Sequence, residues 1–368
     1  MGERGRLTKQ QLGGTYSIMI NIERQHLQLP FDLYTRNLIV SSMLNAVRKD
    51  GPLKILDVGG SSRRLKMFLH PGDEVHILDH RENENGEENY HQGEICAAPF
   101  RDQEFDVVVS SDVYEHIPSA KRERAFLEML RISKGIVILG CSFNSPFVAE
   151  VKQRTCEFFK VLMGKEHILL CEHHTNGLPD PEDFEILLKR TGCTYTFIAH
   201  NNLFNWLLLQ GFTFCAHASG MSQEKVNAIY TWYNKHFDVL GDFLPPSYRR
   251  TYLISRSQII PSLPYPEVPL VDDELLRKFW SDVLGLIIEQ AMKINRKELP
   301  SMLREFMEST FQGPPSLLKS APSVLFSAVL KGIQDLREAE VHMLRSIIEE
   351  KDGELQDVLF KLAAIHTL

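Results

Sequence analysis

A short apolar segment followed at once by two glycines constrains this chain more than any other feature. Residues 55–58 have the length and composition of a strand buried on both faces, and Gly59 and Gly60 come next. After a polar turn, apolar residues return at helical spacing from Leu65 onward. Strand, glycine turn and helix form the first unit of a doubly wound α/β sheet. Because glycine lacks a Cβ, such a turn lets the backbone approach a ligand closely.

A carboxylate ends the second apolar strand. Residues 75–78 are followed by Asp79, about twenty residues after the glycine turn. In doubly wound folds an acid at this place accepts hydrogen bonds from both hydroxyls of an adenosine ribose. The two strands together favour a nucleotide-type ligand. Any α/β domain with a glycine turn after its first strand is the alternative.

Two further segments narrow the interpretation. Residues 102–118 resemble the fourth-strand motif of S-adenosylmethionine-dependent methyltransferases of the Rossmann-like class, and residues 93–100 resemble that family's adenine-binding loop. The resemblance covers about residues 30–257, with the four segments in the family's order and spacing. It implies a mostly parallel, doubly wound, seven-stranded α/β sheet and S-adenosylmethionine as the cofactor. The predicted strands are 53–58, 74–79, 89–92, 105–110, 135–141, 194–199 and 251–256, the last of them antiparallel.

The resemblance also implies where the cofactor binds. Asp57 would reach toward its amino end, Asp79 would accept both ribose hydroxyls, and Glu94 would accept from the adenine amino group. Tyr34 and Arg36 fall where such enzymes often direct side chains toward the methionine end, although a solvated helix arginine is an equally good interpretation of Arg36. The candidate cofactor-binding residues are Arg36, Asp57, Gly59, Gly60, Ser61, Asp79, Glu94, Ile95, Ser111 and Asp112.

The sequence departs from the family pattern in the glycine turn. Ser61 and Arg63 stand where the family usually has glycine. Serine is small enough to be tolerated, but arginine does not adopt a positive φ cheaply. Its side chain must leave the pocket or meet the cofactor's carboxylate. Arg63 therefore puts cofactor affinity in question, and not the fold.

Methyl transfer to oxygen benefits from a base within hydrogen-bond reach of the acceptor. His116 follows the fourth strand and in this fold faces the cofactor edge, so it is the first candidate; a structural or helix-capping role for Glu115 and His116 is the alternative. Glu172 and His173 are the second candidates, because adjacent histidines on a polar loop bounded by glycine and proline are poor core material. Zinc is disfavoured there since no third ligand has motif spacing, and we expect no metal.

Several segments narrow the resemblance to a branch of methyltransferases found with glycosyltransferases in bacterial surface-polysaccharide gene sets. They are residues 141–146, 172–179, 201–206, 233–234 and 246–249. The branch implies a sugar hydroxyl as the acceptor, and aromatic residues between 202 and 241 would then stack on a sugar face. Gly140 and Cys141 stand where the branch usually has Ala-Pro-Phe, so the loop after the fifth strand is altered. The predicted function is O-methylation of a saccharide or glycan-related small molecule.

At 368 residues the chain is longer than one compact domain requires. The predicted parts are a polar segment (1–29), the methyltransferase domain (30–257) with helical cap insertions (about 143–166 and 202–241), a Pro-rich linker (258–270), a helical segment (271–322) and a long helix (323–368). From Val341 to Ile365, spacings of three and four indicate a coiled coil. Such a tail would pair with a second copy or a partner protein; a helix packed on its own domain is the alternative.

Composition and charge bound the class of function. A net charge of −7 without a basic stripe argues against nucleic-acid binding. Six cysteines without CxxC spacing indicate reduced thiols, and no apolar run has signal-peptide or membrane-span character, so we expect a cytoplasmic protein. Two rival functions remain. One is a catalytically weak scaffold that recruits partners through its coiled coil; the other is a nicotinamide dehydrogenase, which would have a third glycine and no Glu-His motif after strand four.

Overall fold

A seven-stranded mixed sheet organises the protein, in the order β3-β2-β1-β4-β5-β7-β6. The computed structural model describes residues 24–60, 62–84, 86–168, 172, 176–256, 260, 263 and 272–294. The strands are β1 (Lys54–Val58), β2 (Glu74–Asp79), β3 (Tyr90–Gln92), β4 (Phe105–Ser111), β5 (Ser133–Cys141), β6 (Thr194–Asn202) and β7 (Ser247–Ser255). The helices longer than one turn are α1 (Phe31–Val47), α2 (Ser62–Lys66), α3 (Ser119–Ile132), α4 (Pro146–Met163), α5 (Pro181–Arg190), α6 (Leu203–Ala218), α7 (Gln223–His236) and α8 (Asp273–Lys293).

The first five strands run parallel, and β7 runs against both of its neighbours. Ile55 of β1 pairs with Val75 of β2 and Val107 of β4, whereas Cys141 of β5 pairs with Arg250 of β7. β6 pairs with β7, again antiparallel. All seven predicted strands are present, and the predicted antiparallel last strand is confirmed. β7 begins four residues earlier than predicted, which brings its polar start to the carboxyl edge of β5 and β6.

Apolar side chains cover both faces of the sheet, as strands buried on both faces require. On one face Phe126 of α3 and Leu188 of α5 belong to a cluster with Leu56 of β1. On the other face Met43 of α1 belongs to a cluster with Ile55 of β1. Because successive strand residues point to opposite faces, β1 contributes to both clusters and ends with its polar turn between them.

The chain divides into two compact units, each discontinuous in sequence. The first holds the described parts of Met1–Ala149, Ile168–Trp206 and Glu224–Asp272, and it contains the whole sheet. The second holds Glu150–His167, Leu207–Gln223 and the described part of Asp273–Leu368, and it is helical. Inside the second unit the Phe159 ring lies 4.8 Å from those of His167 and Phe214, and Trp280 is buried.

The arginine expected to strain the glycine turn does not do so. Arg63 lies inside α2, where the backbone is helical, and the positive φ of the turn falls on Gly59, at 69°. A helical arginine has no steric conflict with its own backbone. The backbone of Arg63 therefore gives no reason to expect weak cofactor binding. Ser61 lies outside the described residues.

Other predictions also fall outside the described part of the chain. They concern residues 1–23, most of the Pro-rich linker, residues 295–322 of the predicted helical segment and the coiled coil of 323–368. Among the described residues, α8 confirms a helix in the first part of the segment predicted over 271–322. No described helix combines the length and the apolar content that crossing a bilayer requires.

Candidate active site

The two glycines after β1 make a turn that a side chain would destroy. Gly59 has a positive φ of 69°, and its N–H donates to the Leu78 carbonyl at 2.7 Å. A Cβ on Gly59 would lie 2.5 Å from Cγ2 of Val113, and a Cβ on Gly60 would overlap the Asp57 carboxyl group. Both positions therefore require glycine, one for conformation and close packing and the other for space alone. The turn leaves bare backbone at the carboxyl edge of the sheet, where doubly wound folds bind ligands.

Asp57 is the buried carboxyl group beneath this turn. Burial raises its pKa to about 7; Arg36 opposes that shift, and the negative charges of Glu87 and Asp79 add to it. Near neutral pH the group therefore exists in both protonation states. It can accept a hydrogen bond when ionised and donate one when protonated.

Asp79 ends β2 and is held by a residue of its own loop. The Arg81 guanidinium donates from Nε to Oδ1 at 3.2 Å and from Nη2 to Oδ2 at 2.9 Å, and the Arg81 backbone N–H also donates to Oδ1. Burial disfavours ionisation of Asp79, but these hydrogen bonds and the Arg81 charge outweigh it and hold its pKa below the usual range. Asp79 is thus an ionised acceptor whose two oxygens already face a cation. The sequence interpretation did not include Arg81.

The predicted adenine-binding loop is a single 3₁₀ turn. Ile95 begins this turn, Ile95–Ala97, and is buried, while Glu94 immediately before it is exposed. The Ala97 N–H donates to the Glu94 carbonyl at 3.0 Å, which fixes the turn. An apolar floor beside an exposed carboxylate suits the flat face and amino edge of a purine.

A three-charge cluster lies where β4 ends. Asp112 accepts from Arg249 Nε at 2.7 Å and also from Arg249 Nη2 and Arg36 Nη1. Asp112 has a positive φ of 56°, and its N–H donates to the Gly140 carbonyl at 2.8 Å. Two guanidinium groups share this carboxylate, and Arg36, whose side chain is more exposed than that of Arg249, can face an anionic group of a ligand. Ser111, the last residue of β4, lies next to it.

The cluster continues into β6 and α1 through hydrogen bonds. Arg249 Nη1 donates to Oδ1 of Asn201 at 2.8 Å, and Asn201 Nδ2 donates to Thr35 Oγ1 at 2.8 Å. The Asn201 N–H donates to Asp242 Oδ2 at 3.1 Å. Arg249 is 4% exposed, so its charge is neutralised inside the protein. The sequence analysis named Arg36 and Asp112, and it quoted the segments that contain Asn201 and Arg249, but nothing in the sequence indicated that these residues form one network.

Two of the predicted catalytic residues lie side by side. His116 Nδ1 and Glu172 Oε2 are 2.9 Å apart, although 56 residues separate them in sequence. The His116 side chain is 22% exposed and that of Glu172 is 45% exposed, so solvent and ligands can reach the pair. The pairing satisfies the geometric requirement for a carboxylate-oriented imidazole base. His173, the third candidate, lies outside the described residues.

Most of the aromatic residues predicted to stack on a sugar are core residues, and for them the prediction is wrong; Trp232 is partly exposed. The buried members are Phe204, Trp206, Phe212, Phe214, Tyr230, Tyr233 and Phe237. Trp206 stacks on Tyr248 with ring centroids 3.9 Å apart. Tyr34, expected near the methionine end of the cofactor, is also buried and packs edge-on against Phe68 and Phe237. These aromatic side chains bury apolar area in the core, so they are not available to bind a ligand.

Within the described residues, no group of three or more His, Cys, Asp or Glu side chains is arranged to hold a metal ion.

A family model described as "Methyltransferase domain" matches residues 71–139. This range begins before β2 and ends within β5, and it contains Asp79, Glu94, Asp112 and His116. No curated protein matches the chain significantly.

Solved structures similar to this chain include several methyltransferases. The YcgJ protein from Bacillus subtilis is 13% identical, with a TM-score of 0.35 and coverage of 60% of this chain and 97% of that one. Phospholethanolamine N-methyltransferase 2 from Haemonchus contortus is 15% identical, with a TM-score of 0.35 and coverage of 62% and 53%. The plantazolicin methyltransferase BpumL, solved with S-adenosylhomocysteine, is 13% identical, with a TM-score of 0.39 and coverage of 61% and 84%. Every one of these TM-scores is below 0.5, and these likenesses carry no argument about the activity of this chain.

The glycine turn fits the cofactor that the domain implies. Because Gly59 and Gly60 carry no side chain, the turn presents main chain alone at the carboxyl end of β1, and ionised Asp79 lies at the end of the neighbouring strand. The matched domain, the seven-stranded sheet with its antiparallel β7, and this turn together identify the chain as a methyltransferase whose cofactor is S-adenosylmethionine.

Proposed function

We propose that this methyltransferase transfers its methyl group to a hydroxyl oxygen of a saccharide or related small molecule. The observation that carries the proposal is the 2.9 Å contact between His116 Nδ1 and Glu172 Oε2. An alcohol is a poor nucleophile until its proton is removed, so a positioned imidazole is what such an acceptor needs. An amine acceptor that arrives unprotonated has less need of one.

The carboxylate of Glu172 only accepts hydrogen bonds, so it selects the imidazole tautomer with the proton on Nδ1. His116 Nε2 is then the basic nitrogen. The cofactor supplies an electrophilic methyl group on a sulfonium. With the cofactor bound, His116 Nε2 would accept the proton of the acceptor hydroxyl as that oxygen takes the methyl group, leaving S-adenosylhomocysteine. The protein's main contribution is to place the reactants in line.

The donor is proposed to lie along the β1–β2 edge. Asp79 accepts the ribose hydroxyls, Glu94 and Ile95 contact the adenine, and Gly59 and Gly60 pass beside the methionyl chain. Asp57 faces its amino group. Arg36, oriented by Asp112, faces its carboxylate, with Ser111 adjoining. In this proposal Asp112 acts through Arg36, and Ser61 adjoins the turn.

The saccharide class rests on the sequence resemblance, since most of the aromatic side chains predicted to support it are buried. Acceptor identity therefore has to be tested directly. The heptad pattern of 341–365, outside the described residues, is a proposed pairing surface for a second copy or a partner protein. A cytoplasmic location is likewise proposed.

The test measures formation of S-adenosylhomocysteine with a panel of methyl glycosides, compared with phenol and simple amines. We expect turnover with at least one glycoside, and His116→Asn should lower kcat by about 10²–10⁴-fold, the usual contribution of a general base. Glu172→Gln should lower it less. His217→Asn, an exposed histidine of α6 in the other unit, is the matched control.

Calorimetric titration with S-adenosylhomocysteine should give the same dissociation constant for wild type and His116→Asn within about twofold, because the base does not hold the donor. Turnover with amines alone would contradict the oxygen acceptor. Full turnover by His116→Asn would contradict the base assignment.

A further inference from the structure

A buried arginine links the two loops that carry the proposed base and its partner. Arg122 lies near the start of α3 and is 8% exposed. Its Nε donates to the Ile117 carbonyl at 3.0 Å. Its Nη2 donates to the carbonyls of Glu115 at 3.2 Å and Asn176 at 3.1 Å, and also to that of Gly177. One side chain thus binds main-chain oxygens of two loops that are about 60 residues apart in sequence.

The acceptors of Arg122 lie close in sequence to the two residues of the proposed pair. Glu115 and Ile117 are the immediate neighbours of His116, and Asn176 comes four residues after Glu172. A second link joins the same segments, since Asn176 Nδ2 donates to the His116 carbonyl at 2.8 Å. Hydrogen bonds thus hold the main chain on both sides of His116 to Asn176 and Gly177, near the 2.9 Å contact between His116 and Glu172.

The chemistry of these ties is specific to arginine. A planar guanidinium presents several N–H donors in fixed directions, whereas a lysine ammonium is a compact group on a flexible stem. Burial lowers the pKa of Arg122, with Tyr114, Cys141 and Glu115 opposing that shift. Burying a cation against carbonyl oxygens is energetically expensive compared with an apolar side chain of similar size. An apolar side chain would pack at this position without the desolvation cost of a buried cation.

We propose that Arg122 is a positioning residue that holds the imidazole of His116 against the carboxylate of Glu172. The proposal rests on the proposed function, because it takes His116 as the base. It differs from a purely structural role in one respect. A structural arginine would change stability whatever occupies position 116, whereas a positioning arginine acts on turnover only through His116.

The first test observes the pair itself and needs no acceptor. The ¹⁵N shifts of the His116 imidazole are recorded with S-adenosylhomocysteine present, in wild type, Glu172→Gln, Arg122→Lys and Arg124→Lys. Glu172→Gln removes the carboxylate and should move the Nδ1 signal. We expect Arg122→Lys to move it in the same direction and Arg124→Lys, an exposed arginine on the same helix, to leave it in place. An unchanged Nδ1 signal in Arg122→Lys would overturn the proposal.

The second test uses a glycoside accepted by the wild type. Misplacing a catalytic group by about 1 Å can cost on the order of 100-fold, so Arg122→Lys should lower kcat by roughly 10–100-fold with little change in KM or in donor affinity. In the His116→Asn background the same change should have no further effect on kcat. Equal losses in both backgrounds would show a structural role and overturn the proposal.

The single variants distinguish the base role of His116 from the positioning role of Arg122. If His116→Asn keeps full turnover, the base assignment fails and the inference fails with it. If His116→Asn loses turnover and Arg122→Lys does not, the inference alone fails. Should Arg122→Lys not fold, Asn176→Ala leaves Arg122 and its carbonyl acceptors in place and removes only the amide tie. It should lower kcat by a few fold, again only when His116 is present; no loss, or an equal loss in the His116→Asn background, would overturn the proposal.

Discussion

Two parts of the sheet's carboxyl edge build the candidate site in different ways: one follows β1 and β2 (the β1–β2 edge), and the other lies where β4 ends and β7 begins (the β4–β7 edge). At the β1–β2 edge the contacts of the two carboxyl groups are local. Gly60 lies three residues after the Asp57 carboxyl group it accommodates, and Arg81 lies two residues after Asp79. At the β4–β7 edge the contacts are remote: 137 residues separate Asp112 from Arg249. Short sequence motifs specify the contacts of the β1–β2 edge, whereas those of the β4–β7 edge form only when distant strands have come together in the sheet.

This difference predicts how each edge responds to substitution. A change at the β1–β2 edge should alter donor binding, with an effect on stability that depends on pH through Asp57 and Asp79. A change at the β4–β7 edge should lower global stability, because its buried charges join α1, β4, β6 and β7.

The largest effect is expected for Arg249→Met. It removes a buried cation and leaves Asp112 and Asn201 without their main donor, so the free energy of unfolding should fall by about 3–5 kcal/mol. Arg250→Met is the matched control on the same strand, since Arg250 is more exposed and its ion pair with Glu185 is 3.6 Å long. It should cost less than about 1 kcal/mol. Urea unfolding measures both; equal losses would show that the buried Arg249 network contributes no more to stability than an exposed ion pair.

The same contrast explains what sequence could predict. The strands, the glycine turn, Asp79 and the order of elements follow from periodicity and from motifs within about ten residues. His116 was identified by its place after the fourth strand and Glu172 by the polar composition of its loop, but nothing in the sequence indicated that they touch. Arg122 and Arg249 were missed because their partners are distant, and a buried arginine in a helix or strand looks like a solvated one until the fold is known.

Asp57 and Asp79 lie at the same β1–β2 edge, but folding shifts their pKa values in opposite directions. The pKa of Asp57 rises from 3.8 to about 7 on folding, so the unfolded chain loses this proton first and stability falls as pH rises from about 4 to 7. Asp57→Asn should therefore stabilise the protein at pH 8, by up to about 4 kcal/mol, and this gain should vanish near pH 4.

Asp79 should behave in the reverse sense. Its pKa is lowered on folding, so its ionised form contributes stability above the unfolded pKa that is lost as pH falls through the folded one. Asp79→Asn should destabilise the protein at pH 8 and have little effect at the lowest pH where it stays folded. Thermal unfolding from pH 4 to 8 measures both variants. Parallel pH profiles for the two would show that their environments do not differ as described.

The smallest effect concerns Arg81, whose side chain is 70% exposed. Its ion pair occupies the Asp79 oxygens proposed to accept the ribose hydroxyls, and an exposed pair is worth at most about 1 kcal/mol. Arg81→Gln should therefore tighten binding of S-adenosylhomocysteine by up to about fivefold. Arg101→Gln, an exposed arginine elsewhere, controls for the lost charge. Weaker binding in Arg81→Gln would mean that this guanidinium contacts the donor instead of competing with it.

The claim on which the rest depends is that the Gly59–Gly60 turn is the binding surface of the cofactor. Calorimetric titration of S-adenosylhomocysteine tests it in wild type, Gly60→Ala and Gly285→Ala. A Cβ at Gly60 overlaps the Asp57 carboxyl group, while one at Gly285 meets nothing within 4 Å. We predict saturable binding to wild type and Gly285→Ala, with none detectable for a folded Gly60→Ala. Undiminished binding by Gly60→Ala, or no heat from the wild type, would contradict the account.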